Sequence, residues 1–419
     1  MTARQTFVIV GAGLAGAKAA EALRTEGFDG RVVLVGEEAE RPYDRPPLSK
    51  DYLQGKSEKE KIYVHPEEWY ASHDVELRLD TRVTAIDRSA GRLVTQGGEP
   101  IGYDRLLLAT GSSPRRLALP GGDLDGVLYL RRVADCEAIK TAFATARRAA
   151  IIGAGWVGLE TTAAARAAGV EVTLLEMAKL PLLGVLGQEL AKIYADLHTR
   201  HGVELRMGVE VAEIIGVEGR AAGVRLADGS KVDADVVVVG VGITPNTELG
   251  EKAQLSIDNG ILVDEHLVSS DPDVFAAGDV ANAYYPSLGR HLRLEHWSAA
   301  LNQGPVAAAN MVGRPTAYDH MPYFFSDQYD MGMEYWGYVK GDHYDQVVFR
   351  GEVAKGEFIA FWLRKGQARA AMNVNIWDQG DAIAALIRSG DRVDVARLAD
   401  PGVALEDLTG TSQTEGGAR

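Results

Sequence analysis

Thr6 to Glu37 reads TFVIVGAGLAGAKAAEALRTEGFDGRVVLVGE, and the fold of the whole chain follows from it. The apolar run Phe7 to Val10 is too short for a buried helix and has the β-branched content of a central parallel strand. Gly11, Gly13 and Gly16 complete G-x-G-x-x-G. In that motif the first glycine permits a tight turn, the second lets backbone approach a pyrophosphate, and the third lets the helix lie close to the strand. Ala20, four residues after Gly16, continues the close-packing face. The helix start then offers N–H groups and a positive dipole end to phosphate. A second apolar strand ends at Glu37, whose carboxylate can accept both hydroxyls of an adenosine ribose. Strand, turn, helix, strand and acid in this order predict a dinucleotide-binding βαβ unit.

The chain has 419 residues, 46% hydrophobic and 25% charged, enough for two or three cored domains. Its net charge of −15 opposes general binding to nucleic acid or anionic membrane. A single cysteine, Cys136, excludes an intramolecular disulfide or a Cys-pair redox centre and suits a reducing cytoplasm. No signal-peptide core precedes the first glycine and no apolar stretch approaches membrane-spanning length, so a cytosolic protein is expected. No spacing suggests a metal site.

After Glu37, ERPYDRPPLSKDYL carries three prolines that predict an extended path holding Arg45 and Lys50 against a cofactor. Val75 to Arg105 alternates apolar and polar positions with turns at Ala90-Gly91 and Gly97-Gly98, the pattern of an inserted antiparallel ribbon. YDRLLLATGSSP is a buried strand delivering Ala109 and Gly111 at its carboxyl end. The opening grammar then repeats. Ala149 to Ile152 is a strand, Gly153, Gly155 and Gly158 form a second G-x-G-x-x-G, and EVTLLE closes with Glu176. Two dinucleotides are expected. Thr162 stands where the first repeat has Ala20, which should loosen packing slightly. An amphipathic helix is expected over Gln188 to His201, with Leu190, Ile193, Tyr194 and Leu197 on one face. Further strands end at Gly242 and at Gly278-Asp279, carboxyl ends where open α/β sheets bind ligands. A helix near Ser298 follows, its start placed to face developing negative charge. From Tyr323 the composition turns aromatic and strand-rich, up to a helix over Asp381 to Ser389, and residues 409–419 have the composition of a disordered tail.

These stretches, with GAGLAG, RPYDRPPLSKDYL, LLLATGSSP, GAGWVGLE, VGVGITPN, FAAGDVA, EHW and SDQY, resemble the ferredoxin reductases that serve bacterial oxygenases, within the pyridine nucleotide-disulfide oxidoreductase superfamily. The resemblance runs from Phe7 to about Ser389. It implies an α/β protein with two Rossmann-like domains, one for FAD and one for NADH, and a C-terminal α+β interface domain. Residues 1–117 and 247–322 would form the FAD domain, 118–246 the NAD domain and 323–408 the third. Gly11, Gly13 and Gly16 would hold the FAD pyrophosphate and Glu37 its ribose. Arg45, Ala109 and Gly111 would line that site. Asp279 would bond the ribityl chain, and the backbone around Trp297 would face the flavin O2 edge. Gly153, Gly155, Gly158, Glu176 and Gly242 would serve NADH, with Trp156 either covering the nicotinamide or packing as a core residue. Lys50 and Glu160 match a lysine and glutamate near the flavin in this family and would pair with each other.

The implied mechanism passes a hydride from NADH to non-covalently bound FAD, then single electrons to a small acidic iron-sulfur ferredoxin supplying a monooxygenase or dioxygenase. No side-chain acid or base is obligatory, so Lys50 and Glu160 read as positioning residues. Glu176 at the end of the second repeat favours NADH over NADPH, with Lys179 the only nearby cation and Gly184 where the family often has a basic residue. Three rivals stand beside this reading. A disulfide or peroxide reductase would need a cysteine that RPPLSKDYL lacks, leaving a redox-sensing flavoprotein resembling apoptosis-inducing factor, or an NADH oxidase. Arg290, Arg293, Arg314 and Lys340 are candidates for the basic patch that an acidic ferredoxin would require.

Overall fold

The computed structural model describes residues 4–339 and 343–408, in two compact units. The first comprises the chain up to Arg115, then Arg131–Val133 and Ile243–His320; the second takes Arg116–Leu130, Ala134–Gly242 and the chain from Met321 onward.

In the first unit, β1 (Thr6–Val10) leads through the glycine turn into α1 (Leu14–Thr25) and returns as β2 (Arg31–Val35). β1 is central, pairing in parallel with β2 on one side and with Arg105–Leu108 on the other. Val274–Ala276 and Val75–Arg78 form the two edges of this five-stranded sheet. All four neighbouring pairs are parallel. Such a sheet, covered on both faces, explains the near-continuous burial of β1 and β2. The ribbon expected from Val75 begins only at Val83, as an antiparallel sheet of Val83–Asp87, Arg92–Thr95 and Pro100–Gly102. Val75–Arg78 instead joins the parallel sheet beside β2, because its apolar residues bury against that face. Helix Trp297–Met311 packs on α1 at Gly304, where an added Cβ would stand 2.4 Å from the Ala15 carbonyl oxygen. The small residues of α1 therefore serve helix packing as well as the strand.

The second unit repeats the pattern with β3 (Arg148–Ile152), α2 (Trp156–Ala167) and β4 (Glu171–Glu176). Its sheet runs Glu204–Met207, β4, β3, Val236–Val239, Val127–Tyr129, all parallel. An antiparallel meander, Val211–Val217, Arg220–Leu226 and Lys231–Asp233, packs Ile214, Val224 and Leu226 with Ile152, Leu175 and Val239 in one core. Thr162 is fully buried, and its hydroxyl has no hydrogen-bond partner among the described residues. Its departure from Ala20 thus leaves a desolvated polar atom, a cost of about 1–3 kcal/mol.

α3 (Leu183–Arg200) buries Leu190, Tyr194 and Leu197 as expected, with Ile193 only half-buried and His198 on the buried face instead. Gly187, at φ 79°, kinks it near its start. The Trp362 indole N–H donates to the Leu186 carbonyl at this kink, at 3.1 Å. From β5 (Tyr323–Gln328) a five-stranded antiparallel sheet runs β5, Met331–Gly337, Gln367–Val374, Glu357–Arg364, Gln346–Glu352. Helix Gly380–Ser389 covers it with Ile383 and Leu386. Arg350 donates to the carbonyls of Leu398, Asp400, Pro401 and Val403 and so ties down this C-terminal segment. The expected tail, 409–419, lies outside the described residues.

Candidate cofactor sites

Each glycine loop is built the same way. Gly11 has φ +117°, and a Cβ there would stand 2.1 Å from the Ala109 carbonyl oxygen; Gly153 has φ +101° and meets the Gly240 carbonyl at 2.4 Å. Gly16 and Gly158 face the carbonyls of Gly11 and Gly153 just as closely. These four glycines are demanded by the protein itself. Gly13 and Gly155 are not, since an added Cβ would meet nothing within 4 Å. Each forms the N-cap of its helix with no side-chain cap bond. A glycine that packing does not require, at an uncapped helix start, fits a loop shaped for an external phosphate.

In the first unit, Asp279 is buried at the carboxyl end of Val274–Ala276. One of its oxygens accepts from the Ser112 hydroxyl at 2.6 Å and from Arg131 Nη2 at 2.7 Å. Burial alone would raise this carboxyl, but Arg131, Ser112 and Arg45 outweigh it and hold it below its ordinary value. The Arg131 guanidinium is pushed down, first by burial and then by Arg45 beside it. Arg45 donates to the Arg131 carbonyl, to the Tyr43 hydroxyl at 3.2 Å, and pairs with Glu38 at 3.5 Å. Two part-buried guanidiniums set against each other near a phosphate-binding loop form a site that an anionic diphosphate would stabilise. The residues present therefore fit FAD.

Glu37, half-exposed two residues past β2, pairs with Arg132 and lies 3.9 Å from Arg82. Its neighbour Glu38 accepts from the Tyr43 hydroxyl at 2.7 Å. Gly111, at φ +66°, stands beside Arg131, and Lys50 follows a 3₁₀ turn over Pro46–Ser49. The expected extended path is thus replaced by a turn, because prolines at its first two positions need no donor there. Trp297 begins its helix, and its indole N–H donates to Asp44 at 2.8 Å. Arg131 and Arg132 escaped the sequence reading. They sit in an unpatterned connection, and Arg131 meets Asp279 across 148 residues of chain.

In the second unit, both Glu176 oxygens are engaged by backbone N–H groups, Ala154 at 2.7 Å and Ala178 at 2.9 Å. The carboxylate is thereby fixed at the mouth of its own glycine loop. Leu182, in the left-handed region at φ 54°, donates its N–H to the Ala154 carbonyl, and Gly184 opens on space. The Trp156 ring packs edge-on against Tyr194 at 5.5 Å and Phe324 at 5.2 Å, so it belongs to an aromatic cluster. Glu160, only 4% exposed, accepts from the Ser326 hydroxyl at 2.6 Å. Lys50 lies in the first unit and Glu160 in the second. Gly242, at φ +99°, ends the second unit's central run.

Among the four docking candidates, Arg293 does not qualify. Its side chain is 7% exposed, pairing with Glu295 at 2.6 Å and donating to the Asp279 carbonyl at 3.2 Å. Arg290 is exposed at a hairpin, Arg314 pairs with Glu26, and Lys340 lies outside the described residues. No helix among the described residues is long and apolar enough to cross a membrane.

Comparison with known proteins bears on both units. Residues 5–304 match the family model described as pyridine nucleotide-disulphide oxidoreductase, and residues 323–409 match one described as reductase C-terminal. The ferredoxin–NAD(+) reductase component of the anthranilate 1,2-dioxygenase system of Burkholderia cepacia is 41% identical, covering 96% of this chain and 98% of the relative. Putidaredoxin reductase of Pseudomonas putida is 35% identical over 99% of both chains. A crystal structure of the covalent putidaredoxin reductase–putidaredoxin complex matches with a TM-score of 0.94 and 34% identity, over 99% of this chain and 100% of that one.

Proposed function

The chain belongs to the pyridine nucleotide-disulphide oxidoreductase family, and from that premise we propose that it is an NADH-dependent flavoprotein that reduces a small acidic iron-sulfur ferredoxin, which in turn supplies a monooxygenase or dioxygenase. The observation that carries this reading is the pair of glycine loops, each with a middle glycine open to space and each followed by a strand with a carboxylate at its end, Glu176, or two residues past it, Glu37.

When bound, FAD supplies the conversion of a two-electron hydride into single electrons. The protein's part is binding and alignment. Gly11, Gly13 and Gly16 bring backbone to the diphosphate, Arg45 and Arg131 neutralise it, Glu37 takes the adenosine ribose and Asp279 anchors the ribityl chain. Ala109, Gly111 and Trp297 line the same site. Gly153, Gly155 and Gly158 do for NADH what the first loop does for FAD, and Glu176 takes its ribose. A 2′-phosphate would meet that fixed carboxylate and be repelled, which favours NADH over NADPH. Gly242, Trp156 and Glu160 complete the NADH side, and Lys50 acts as a positioning residue on the FAD side. The domain limits we propose are 1–117 with 247–322, 118–246, and 323–408.

Cys136 supports the ferredoxin reading over a disulfide reductase. The chain's one cysteine is fully buried in helix Val133–Phe143, and burial pushes its thiol up to about 12, so it is neither accessible nor a thiolate. The same single cysteine suits a reducing cytoplasm. The test is the spectrum of the purified protein followed by anaerobic NADH titration and reoxidation with a panel of ferredoxins. Flavin absorbance, bleaching by NADH and recovery with a ferredoxin are expected, and acid precipitation should leave a yellow supernatant. A panel that accepts no electrons while oxygen or a quinone does so rapidly overturns the proposal.

A further inference from the structure

Glu160 stands one turn after Trp156 on α2, so the two side chains leave the same helix face. Behind the carboxylate runs an unbroken line of buried polar groups. Ser326 Oγ lies 2.6 Å from Glu160, Gln328 Nε2 lies 3.1 Å from Ser326 Oγ, and His198 Nε2 lies 2.9 Å from Gln328 Oε1. The Tyr329 hydroxyl lies 3.2 Å from His198 Nδ1. Ser326, Gln328 and His198 are each 2% exposed or less. Tyr329, at φ +56°, holds a backbone conformation uncommon outside glycine, and its ring stacks on His201 at 3.7 Å.

The direction of every bond follows from the chemistry of its groups. A carboxylate only accepts, so the Ser326 hydroxyl spends its proton on Glu160 and its oxygen accepts from the Gln328 amide N–H. That leaves Gln328 Oε1 to accept from His198 Nε2–H. A neutral imidazole with its proton on Nε2 carries a lone pair on Nδ1, and the Tyr329 hydroxyl donates to it. Burial holds His198 down, at about 4, which keeps the ring neutral at physiological pH.

We propose that Tyr329, His198, Gln328 and Ser326 form a one-directional chain of donors that orients the Glu160 carboxylate for the nicotinamide half of bound NADH, with His198 and Gln328 as positioning residues. This rests on the NADH reading above. With NADH bound, loss of its hydride would leave a positive charge on the nicotinamide ring, and a carboxylate already locked in place would stabilise that charge with no reorganisation. The chain does not conduct protons, because the Gln328 amide in its middle does not relay them. Turning the Gln328 amide over would set its N–H against His198 Nε2 and move the His198 proton to Nδ1. The His198 tautomer therefore reports on the polarity of the whole chain. The charged and titratable groups around it are His201 just past the end of its own helix, Arg166 on α2, and Tyr329 and Asp330 after β5; Tyr194 and Asp327 act on one another near Glu160.

The experiment joins two readouts on FAD-loaded protein. ¹⁵N spectra of the histidine rings, taken without NADH, should show His198 with its proton on Nε2, and Gln328→Leu should abolish that preference. Anaerobic stopped-flow bleaching of the flavin at saturating NADH should slow about tenfold in Gln328→Leu and His198→Phe, with NADH affinity unchanged. Gln328→Glu, which keeps the shape and cannot donate to Ser326, should slow it equally and covers the case of Gln328→Leu failing to fold. His198→Gln, which keeps a donor near the Nε2 position, should recover most of the rate. A wild-type His198 protonated on Nδ1, or variants that bleach at the wild-type rate, overturn the proposed chain. A wild-type holoenzyme that NADH does not bleach overturns the functional reading instead, and the two failures are thus distinct.

Discussion

At the scale of single residues, the glycines of one loop divide into those the fold requires and those a ligand requires. Gly11→Ala would force a side chain into φ +117° and against the Ala109 carbonyl. It should destabilise the protein by more than about 2 kcal/mol, read by denaturant titration. Gly155→Ala has open space and an ordinary backbone conformation, so its melting temperature should hold or rise slightly while the KM for NADH rises about tenfold. Equal melting temperatures for the two variants would refute the division. Asp279 gives a second residue-scale prediction. Despite burial, its carboxyl is held below its ordinary value by Arg131, Ser112 and Arg45. The stability it contributes is complete above its unfolded value of about 3.9 and is lost as the pH falls from there toward the folded value. Asp279→Asn leaves the part-buried Arg131 charge without its carboxylate and should cost about 1–3 kcal/mol at neutral pH. The gap between wild type and variant should narrow below pH ~4, measured as melting temperature across pH.

At the scale of elements, the kink in α3 shows what composition conceals. Gly187 combines φ +79° with a Tyr344 hydroxyl 2.0 Å from where a Cβ would stand. Gly187→Ala should destabilise by over about 1 kcal/mol, and adding Tyr344→Ala should recover only part, because the space is freed while the backbone strain persists. Full recovery in the double variant would show that crowding alone was the cause. The glycine loops and parallel strands were legible in the sequence because their determinants lie within 32 residues of one another, from Thr6 to Glu37. Val75–Arg78 was misplaced because alternation along a short segment does not say which strand it pairs with, and its partner β2 lies before the proline-rich segment. Arg131 and Arg132 carried no local signal at all. His198 was passed over although its helix face was read, since Leu190, Tyr194 and Leu197 define that stripe without it. Only the fold of β5 brings Gln328 to it.

At the scale of the whole molecule, a net charge of −15 sets how an acidic ferredoxin must arrive. Salt screens the overall repulsion but also any local attraction, so the rate of ferredoxin reduction should pass through a maximum with ionic strength. A rate falling throughout from about 10 mM upward would show that local attraction dominates at every distance. Arg293, buried on Asp279, is removed from any such patch, and charge reversal there should lower flavin content instead of raising the KM for ferredoxin. The chain also passes between its units at residues 115, 130, 133, 242 and 320. This interleaving imposes an order on birth at the ribosome. The second unit's parallel sheet has all its strands once Val239 has emerged, whereas the first unit, begun at the amino terminus, must wait for Val274–Ala276 to close beside Arg105–Leu108. At about 5–20 residues per second, that wait lasts on the order of ten to thirty seconds. For that interval the strand edge at Leu106 to Leu108 stands open on the nascent chain. The segment that opens the sequence reaches its native surroundings only after the parallel sheet of the second unit has emerged, and this is the stage at which chaperones would find the molecule.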